Sequence, residues 1–371
     1  MNRTLKNMYG SLELLRYKLL AKNSLGAFMF RGVIYLLYPI LGSRLALTSK
    51  WINYRNRERN TLYSMIQEAS HRCKKTKKDM VLCYYFYHIV PWEYKLYQFE
   101  NQSHKDRLKW LSDTDRYMCC DLIMGDDIYR TLKDKSRFYQ MLKQYYKRPI
   151  FTFSNLTSEI EFRRFIDSVP NNLFVKPLDG SLGRDTFLVS TKEEKETLFL
   201  KLKETKTSWL IEGQIKQVSK IAAWNNSSVN TLRIPSFRDG NQWHILQPFF
   251  RTGRYGQIVD NAGAGGILCT VDSDSGKILT DGFDERSNRY EFHPDSHMRF
   301  KDWEIPNWKE LTELTRNIHQ SLPDSFKYIG FDFALTEAGW DLIEGNWGQF
   351  VGQIAAQKGI KQQFDNYLGI Q

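Results

Sequence analysis

Asp332, Glu344 and Asn346 sit among Phe, Leu, Ile and Trp in the stretch GFDFALTEAGWDLIEGNWGQF at residues 330–350. Two strand-like runs flank the turn at 336–339, which predicts an antiparallel hairpin. Glu344 and Asn346 are two residues apart, so they point to one face of their strand. Asp332 lies on the preceding strand, and the turn folds all three oxygens toward one point. Hard oxygen ligands without thiol or imidazole suit Mg²⁺, which is commonly held by one or two carboxylates plus substrate phosphates. Without a cation, Asp332 and Glu344 would repel one another in a low-dielectric site. The plain alternative is a buried salt-bridge cluster with Arg233.

Further motifs precede the hairpin. In FVKPLDGSLGRDTF (174–187) an apolar strand delivers Lys176 to a loop carrying Gly180, Ser181 and Gly183. Glycines let a backbone approach an anion, and a lysine adds a point charge for phosphate. No GK[ST] follows, which excludes a Walker-type P-loop. In WLIEGQI (209–215) a strand exits at Glu212. A backbone hinge there could pair with an adenine edge and a carboxylate could bind ribose, although an ordinary strand end reads the same way. In NTLRI (230–234), Asn230, Leu232 and Ile234 share one strand face, and Thr231 and Arg233 the other. A buried Arg233 needs an anion; a phosphate and Asp332 both remain open. Gly263, Gly265 and Gly266 form either an anion-friendly loop or a tight connection. His293 and His297 lack the third histidine or HExxH spacing of a zinc site. No Ser/His/Asp or Cys/His nucleophile signature is present.

The elements that must position these groups change character along the chain. Residues 1–60 are basic and helix-like. Residues 61–148 read as mostly helical, with one strand-like run, MVLCYYFYHIV (80–90), after a charged loop holding Lys74, Lys75, Lys77 and Lys78. A helix is expected within 131–149, with Asp134 as N-cap and Phe138, Met141, Leu142 and Tyr145 on one face. From Pro149 strands and helices mix. Strands are expected at 150–153, 173–177, 208–215, 230–237 and 244–253, a hairpin at 266–280, and helices after a Ser158–Glu161 capping box, at 192–204 and at 308–322. This is an α+β pattern with mixed sheets.

A length of 371 residues, 42% hydrophobic and 14% aromatic, supports two or three lobes and excludes a disordered chain. The net charge is +11, and residues 1–60 carry eleven Lys and Arg against Glu13 and Glu58, a local net of +9. That concentration, without a basic-aromatic stripe through the rest, argues against nucleic-acid binding. Five cysteines without CxxC spacing read as reduced thiols in a cytosol. No secretory signal is visible. The apolar segment 24–45 is broken by Arg31 and Pro39 and falls short of the ~20 residues a bilayer span needs. It reads either as core helices or as an amphipathic region on an anionic membrane face.

The order of these pieces resembles the ATP-grasp superfamily and, within it, the sugar-transfer-associated ATP-grasp family found with cell-surface polysaccharide biosynthesis. The residues carrying the resemblance are SSVNTLRI (227–234), VDNAGAGGI (259–267), HPDS (293–296), IPNW (305–308) and IGFDFALTEAGWDLIEGNWGQF (329–350). The resemblance implies two α+β subdomains closing on ATP, at 149–207 with the glycine loop and at 208–371 with the Mg²⁺ site. A helical lobe at 61–148 and a basic helical extension at 1–60 precede them. It implies that Lys135 and Lys176 reach the phosphates and that Gly180, Ser181 and Gly183 form a lid. Glu212, Gly213, Gln214 and Ile215 resemble the adenine hinge, and Asn230 joins the nucleotide-binding set. Arg233, with Lys176, resembles a catalytic cation, and Asp332, Glu344 and Asn346 resemble the Mg²⁺ ligands. The loop is poorer in glycine than many ligase lids, and the usual N-terminal α/β lobe is hard to see in 61–130.

The implied activity is an ATP- and Mg²⁺-dependent ligation. A carboxylate such as an amino acid's would join an amine or sugar acceptor through an acyl phosphate, during surface polysaccharide assembly. The acceptor would be a small-molecule or lipid-linked sugar, met in the cytoplasm or at the inner membrane face through peripheral contact by residues 1–60. Phosphoryl transfer to a sugar hydroxyl, and a non-catalytic membrane or polyanion-binding module, are the alternatives.

Overall fold

Alternating side chains build two sheets in the computed structural model, which describes residues 17–18, 25–36, 74–178, 185–205, 207–261, 265–286, 288–347 and 352–370. The chain divides into two compact units, Met1–Ile123 with Gln357–Gln371, and Met124–Ala356.

The first unit is helical where it is described. The run 80–90, expected as a strand, is mostly helix: Lys74–Tyr87 form one 14-residue helix. Met80, Cys83 and Tyr84 are buried at helical spacing, so a 3.6-residue period decides the matter despite the aromatic content. The lysines expected in a loop lie in its first turns. Asp79 accepts both terminal nitrogens of Arg107 at 2.8 and 2.7 Å. The C-terminal helix Lys361–Tyr367 belongs to this unit and begins with the Lys361 amide donating to the Lys109 carbonyl at 2.9 Å. Cys83, Cys119, Cys120 and Cys269 are buried free thiols; Cys73 lies outside the described residues.

The second unit opens with two short helices, Asp126–Lys133 and Lys135–Leu142, where one is expected. Asp134 divides them. It has extended backbone geometry and accepts the Ser136 and Arg137 amides at 3.0 and 3.3 Å, so it caps the second helix as its residue type predicts. Phe138 and Leu142 are buried; Tyr139 is buried too, whereas Met141 is exposed.

A four-stranded sheet follows, with β1 (Ile150–Phe153), β2 (Leu173–Pro177), β3 (Phe187–Val189) and β4 (Trp209–Gly213) in the order β1-β4-β2-β3. Helices Glu159–Ser168 and Lys192–Lys203 contribute Phe162, Ile166, Leu198, Phe199 and Leu202 to a core with Phe153, Leu173, Val175, Trp209 and Ile211. Strand alternation then turns Lys176 and Glu212 to the opposite face.

The eight-stranded sheet runs β10-β9-β8-β7-β5-β11-β12, with β6 also on β5. Its central members are β5 (Thr231–Asp239), β7 (Phe249–Thr252), β11 (Tyr328–Thr336) and β12 (Gly339–Asn346). The others are β6 (Gln242–Ile245), β8 (Ile267–Thr270), β9 (Gly282–Phe283) and β10 (Arg289–Tyr290). Every described pairing in both sheets is antiparallel, so the sheets are not mixed. The second half of the hairpin expected at 266–280 is reduced to a bridge between Val271 and Ile278. Helix Trp308–Ser321 forms as expected and anchors on the sheet through His319, whose Nδ1 meets Ser236 Oγ at 2.7 Å.

Candidate active site

The β11–β12 register sets Asp332 directly opposite Glu344 and Gly330 opposite Asn346, with an irregularity after Asp332. The next strand sets Arg233 opposite Asp332. One face of the sheet therefore carries Arg233, Asp332, Glu344 and Asn346, as the sequence predicts. The Asn346 amide donates to Asp332 Oδ2 at 3.3 Å and to Glu344 Oε1 at 3.1 Å.

Arg233 finds its anion in Asp332. Both its Nε and Nη2 reach that carboxylate, the latter at 2.7 Å. Arg251 is the residue that sequence reasoning missed. It sits on β7 opposite Thr231. Its Nη2 lies 3.0 Å from Asp332 Oδ2, its Nε donates to Thr231 Oγ1 at 2.9 Å, and Asp260 is 3.4 Å away. The signal was available: FFRT, like TLRI, places an arginine within an apolar strand, where a buried charge demands a counterion.

Burial alone would push the Asp332 carboxyl up, but Arg233 and Arg251 overcome it and hold Asp332 below the usual carboxylate range. For Asp260 burial wins over the Arg251 charge and the Thr231 hydroxyl, and its affinity for a proton is raised. Glu344 is half-exposed and has no ion-pair partner among the described residues. The face thus carries two guanidinium groups, Arg233 and Arg251, against three carboxylates, Asp260, Asp332 and Glu344.

Lys176 lies across the other sheet, with its Nζ 2.5 Å from Glu212 Oε1. Arg148 donates to Glu212 Oε2 from Nε at 2.7 Å and to Asp341 Oδ1 from Nη1 at 2.9 Å. Asp341 also accepts the Lys147 amide at 3.0 Å. Arg148 therefore spans from β4 to β12 and ties the charged faces of the two sheets. Burial would raise Glu212, yet Arg148 and Lys176 hold its carboxyl below the ordinary value. Both Glu212 oxygens are taken by cations, an arrangement that differs from an open ribose-binding carboxylate.

Lys135 is brought to the Lys176 strand end, where its Nζ donates to the Pro177 and Leu178 carbonyls at 3.4 and 3.2 Å. Both lysines expected at the phosphates therefore belong to the end of β2, with their ammonium groups held by protein oxygens. Gly180, Ser181 and Gly183, like Gly263, lie outside the described residues. The Gly213 amide donates to Pro149 and the Gln214 amide to Asn172, at 2.9 and 2.8 Å; Ile215 follows outside any strand. Asn230 is a connector within the protein: its amide nitrogen donates to Gln217, Ile221 and Asn225, and its oxygen accepts from Thr252.

A further feature packs the helix that starts at Lys135 on the hairpin. Gly345 lies between Glu344 and Asn346 on the opposite face of β12, and the Phe138 ring occupies the space where a side chain would stand; a Cβ there would come within 2.3 Å of Phe138 Cζ.

The donor set fits a hard cation. Two carboxylates and a carboxamide converge without thiol or imidazole; Asp332 is buried with both oxygens held by Arg233 and Arg251, and Glu344 and Asn346 form the partly exposed edge. Asn346 would need to turn its amide oxygen toward the ion. No group of three or more His, Cys, Asp or Glu residues disposed for a metal occurs among the described residues.

Comparison with known proteins bears on the same region. The sugar-transfer associated ATP-grasp family model matches residues 123–367. No curated protein matches the chain in sequence. The fold is similar to the VanG D-Ala:D-Ser ligase of Enterococcus faecalis at 13% identity and TM-score 0.42, covering 68% of this chain and 64% of that one. It is similar to the N5-carboxyaminoimidazole synthetase of Staphylococcus aureus complexed with ADP at 14% identity and TM-score 0.44, covering 70% and 59%. A D-cycloserine synthetase matches at 10% identity and TM-score 0.43, covering 76% and 82%. The first two likenesses span less than two thirds of those proteins' own lengths.

Proposed function

The chain belongs to the sugar-transfer associated ATP-grasp family, and from that membership we propose an ATP- and Mg²⁺-dependent ligase that joins a carboxylate, such as an amino acid's, to an amine or sugar acceptor. The observation that carries the reading is the surplus carboxylate of the hairpin face. Three acids meet two arginines there, and the acid without an ion pair, Glu344, is the one nearest solvent. A surplus buried negative charge is costly unless a cation joins it.

Asp332, Glu344 and the Asn346 oxygen would hold Mg²⁺, which when bound screens the phosphate charge. Lys176 and Lys135 supply point charges at the end of β2 for the polyphosphate. Arg233 and Arg251 lie beside the carboxylates with donors suited to the transferred phosphoryl group. In the proposed reaction a donor carboxylate oxygen bonds to the γ-phosphorus as its bond to ADP breaks. The acceptor nitrogen then bonds to the acyl carbon, phosphate departs, and the amine proton passes to solvent. Positioning and electrostatics suffice for such chemistry, in agreement with the lack of a nucleophile signature.

A role in polysaccharide assembly is proposed from the family's association with sugar transfer. The acceptor is proposed to be a small-molecule or lipid-linked sugar. A place at the inner membrane face is supported by the basic residues 1–60. No described helix is long and apolar enough to cross a membrane.

The test is thermal stabilisation of the full chain by ATP with Mg²⁺, followed by a screen of ATP cleavage with amino acids and amino sugars. With γ-labelled ATP, free phosphate is expected with a joined product. Label on the acceptor would replace ligation by phosphoryl transfer, and no nucleotide-dependent stabilisation would sink both.

A further inference from the structure

We infer that the helix Leu25–Leu36 is a lipid-docking element, whose outer face lies in the interface of an anionic bilayer. The helix has 12 residues, LGAFMFRGVIYL, and one charge. At 100° per residue, Gly26, Phe28, Met29, Gly32, Val33 and Leu36 fall on a single side of it. That side is exposed: Phe28 by 70%, Met29 by 63%, Val33 by 53% and Leu36 by 78%. Soluble surfaces carry single exposed apolar residues, but four on one uncharged helix stripe mark an interaction face.

The one charge turns the other way. Arg31 is half-buried, and its guanidinium lies close enough to Tyr87 and His104 to act electrostatically on both. The helix therefore keeps its cation on the protein side, and its described exposed side chains, Phe28, Met29, Val33 and Leu36, are apolar.

The surrounding sequence decides what covers this face. The helix sits within residues 1–60, where eleven Lys and Arg stand against two Glu. Basic flanks around an apolar helical stripe complement anionic headgroups above an acyl layer, each cation near the surface adding attraction. A second copy of the chain fits poorly. Two flanks of +9 would repel, and a helix ~18 Å long presents far less than the ~1,000 Å² a stable protein interface needs. This inference is independent of the nucleotide chemistry, since the helix belongs to the first compact unit and the carboxylate site to the second.

The experiment is flotation of the full chain with phosphatidylcholine vesicles, with and without phosphatidylglycerol, at low and high salt. The wild type is expected to float with the anionic vesicles and to release as salt rises. Phe28→Asp with Val33→Asp should weaken flotation about tenfold or more, since each loses a buried apolar side chain. Leu156→Asp with Ile160→Asp is the control: it makes the same charge change at residues 95% and 74% exposed in the other unit, and flotation should not move. Each variant should keep the wild-type melting temperature and its shift with ATP and Mg²⁺, which separates failure here from failure of the ligase reading. A wild type that stays with the pellet, a Phe28/Val33 variant that floats like the control, or a wild-type dimer that Phe28→Asp dissolves would each overturn the inference.

Discussion

The second unit holds two charged clusters, one on each sheet, and they are built to different balances. On the four-stranded side, Lys176 and Arg148 meet Glu212 and Asp341, two cations with two carboxylates, all buried and paired within 3 Å. On the eight-stranded side, Arg233 and Arg251 meet Asp260, Asp332 and Glu344. The first cluster is complete without a ligand. The second is short of one positive charge at its solvent edge. The same residue types are balanced in one sheet and unbalanced in the other, and the count of charges, more than their identity, separates the two clusters.

The comparison breaks most sharply at Glu344. Glu344→Gln removes the surplus charge without stranding an arginine, so turnover should fall about 100- to 1,000-fold while the melting temperature holds. Full activity in that variant would dismiss the metal assignment. Glu212→Gln should do the reverse. It leaves Lys176 and Arg148 without their shared carboxylate, and urea unfolding should show a loss of about 3–5 kcal/mol. A variant that melts like wild type would mean that the balanced cluster is not structural.

Acid titration sharpens the contrast further. Asp332 and Glu212 are both held below their ordinary values, so their contributions persist above pH ~4 and fade only as pH drops through the folded values. An earlier loss belongs to His319 on the other side of the large sheet, which burial pulls down to about 4. Between pH ~6.5 and that value the unfolded state binds the proton and the folded state does not, so stability should fall by up to about 3 kcal/mol as pH falls. His319→Gln should flatten that slope, and an unchanged slope would point to another group. The smallest effect is expected at Asp134→Ala, about 1 kcal/mol by thermal melting, because it removes the cap that starts the Lys135 helix.

Local patterns carried the hairpin register well. A two-residue spacing and a tight turn fix which side chains share a face, so Asp332, Glu344 and Asn346 were legible as a group. The Asp134 cap and the 308–321 helix were readable for the same reason: their signals lie within a few residues. What depends on distant pairing was not. Arg251 joins the site only because β7 pairs with β5, and Arg148 only because β12 lies near β4. Asn230 resembled a nucleotide contact, yet its partners lie 5 to 22 residues away within the protein. The 80–90 segment misled because aromatic-rich composition favours a strand while burial of Met80, Cys83 and Tyr84 selects a helix.

Position 345 should accept glycine alone. Anything larger acts as a wedge beneath Phe138, lifting the helix that starts at Lys135 away from the strand holding Glu344 and Asn346. The start of that helix and the carboxylate strand are consequently packed through a single aromatic ring, so a substitution at one glycine reaches both at once.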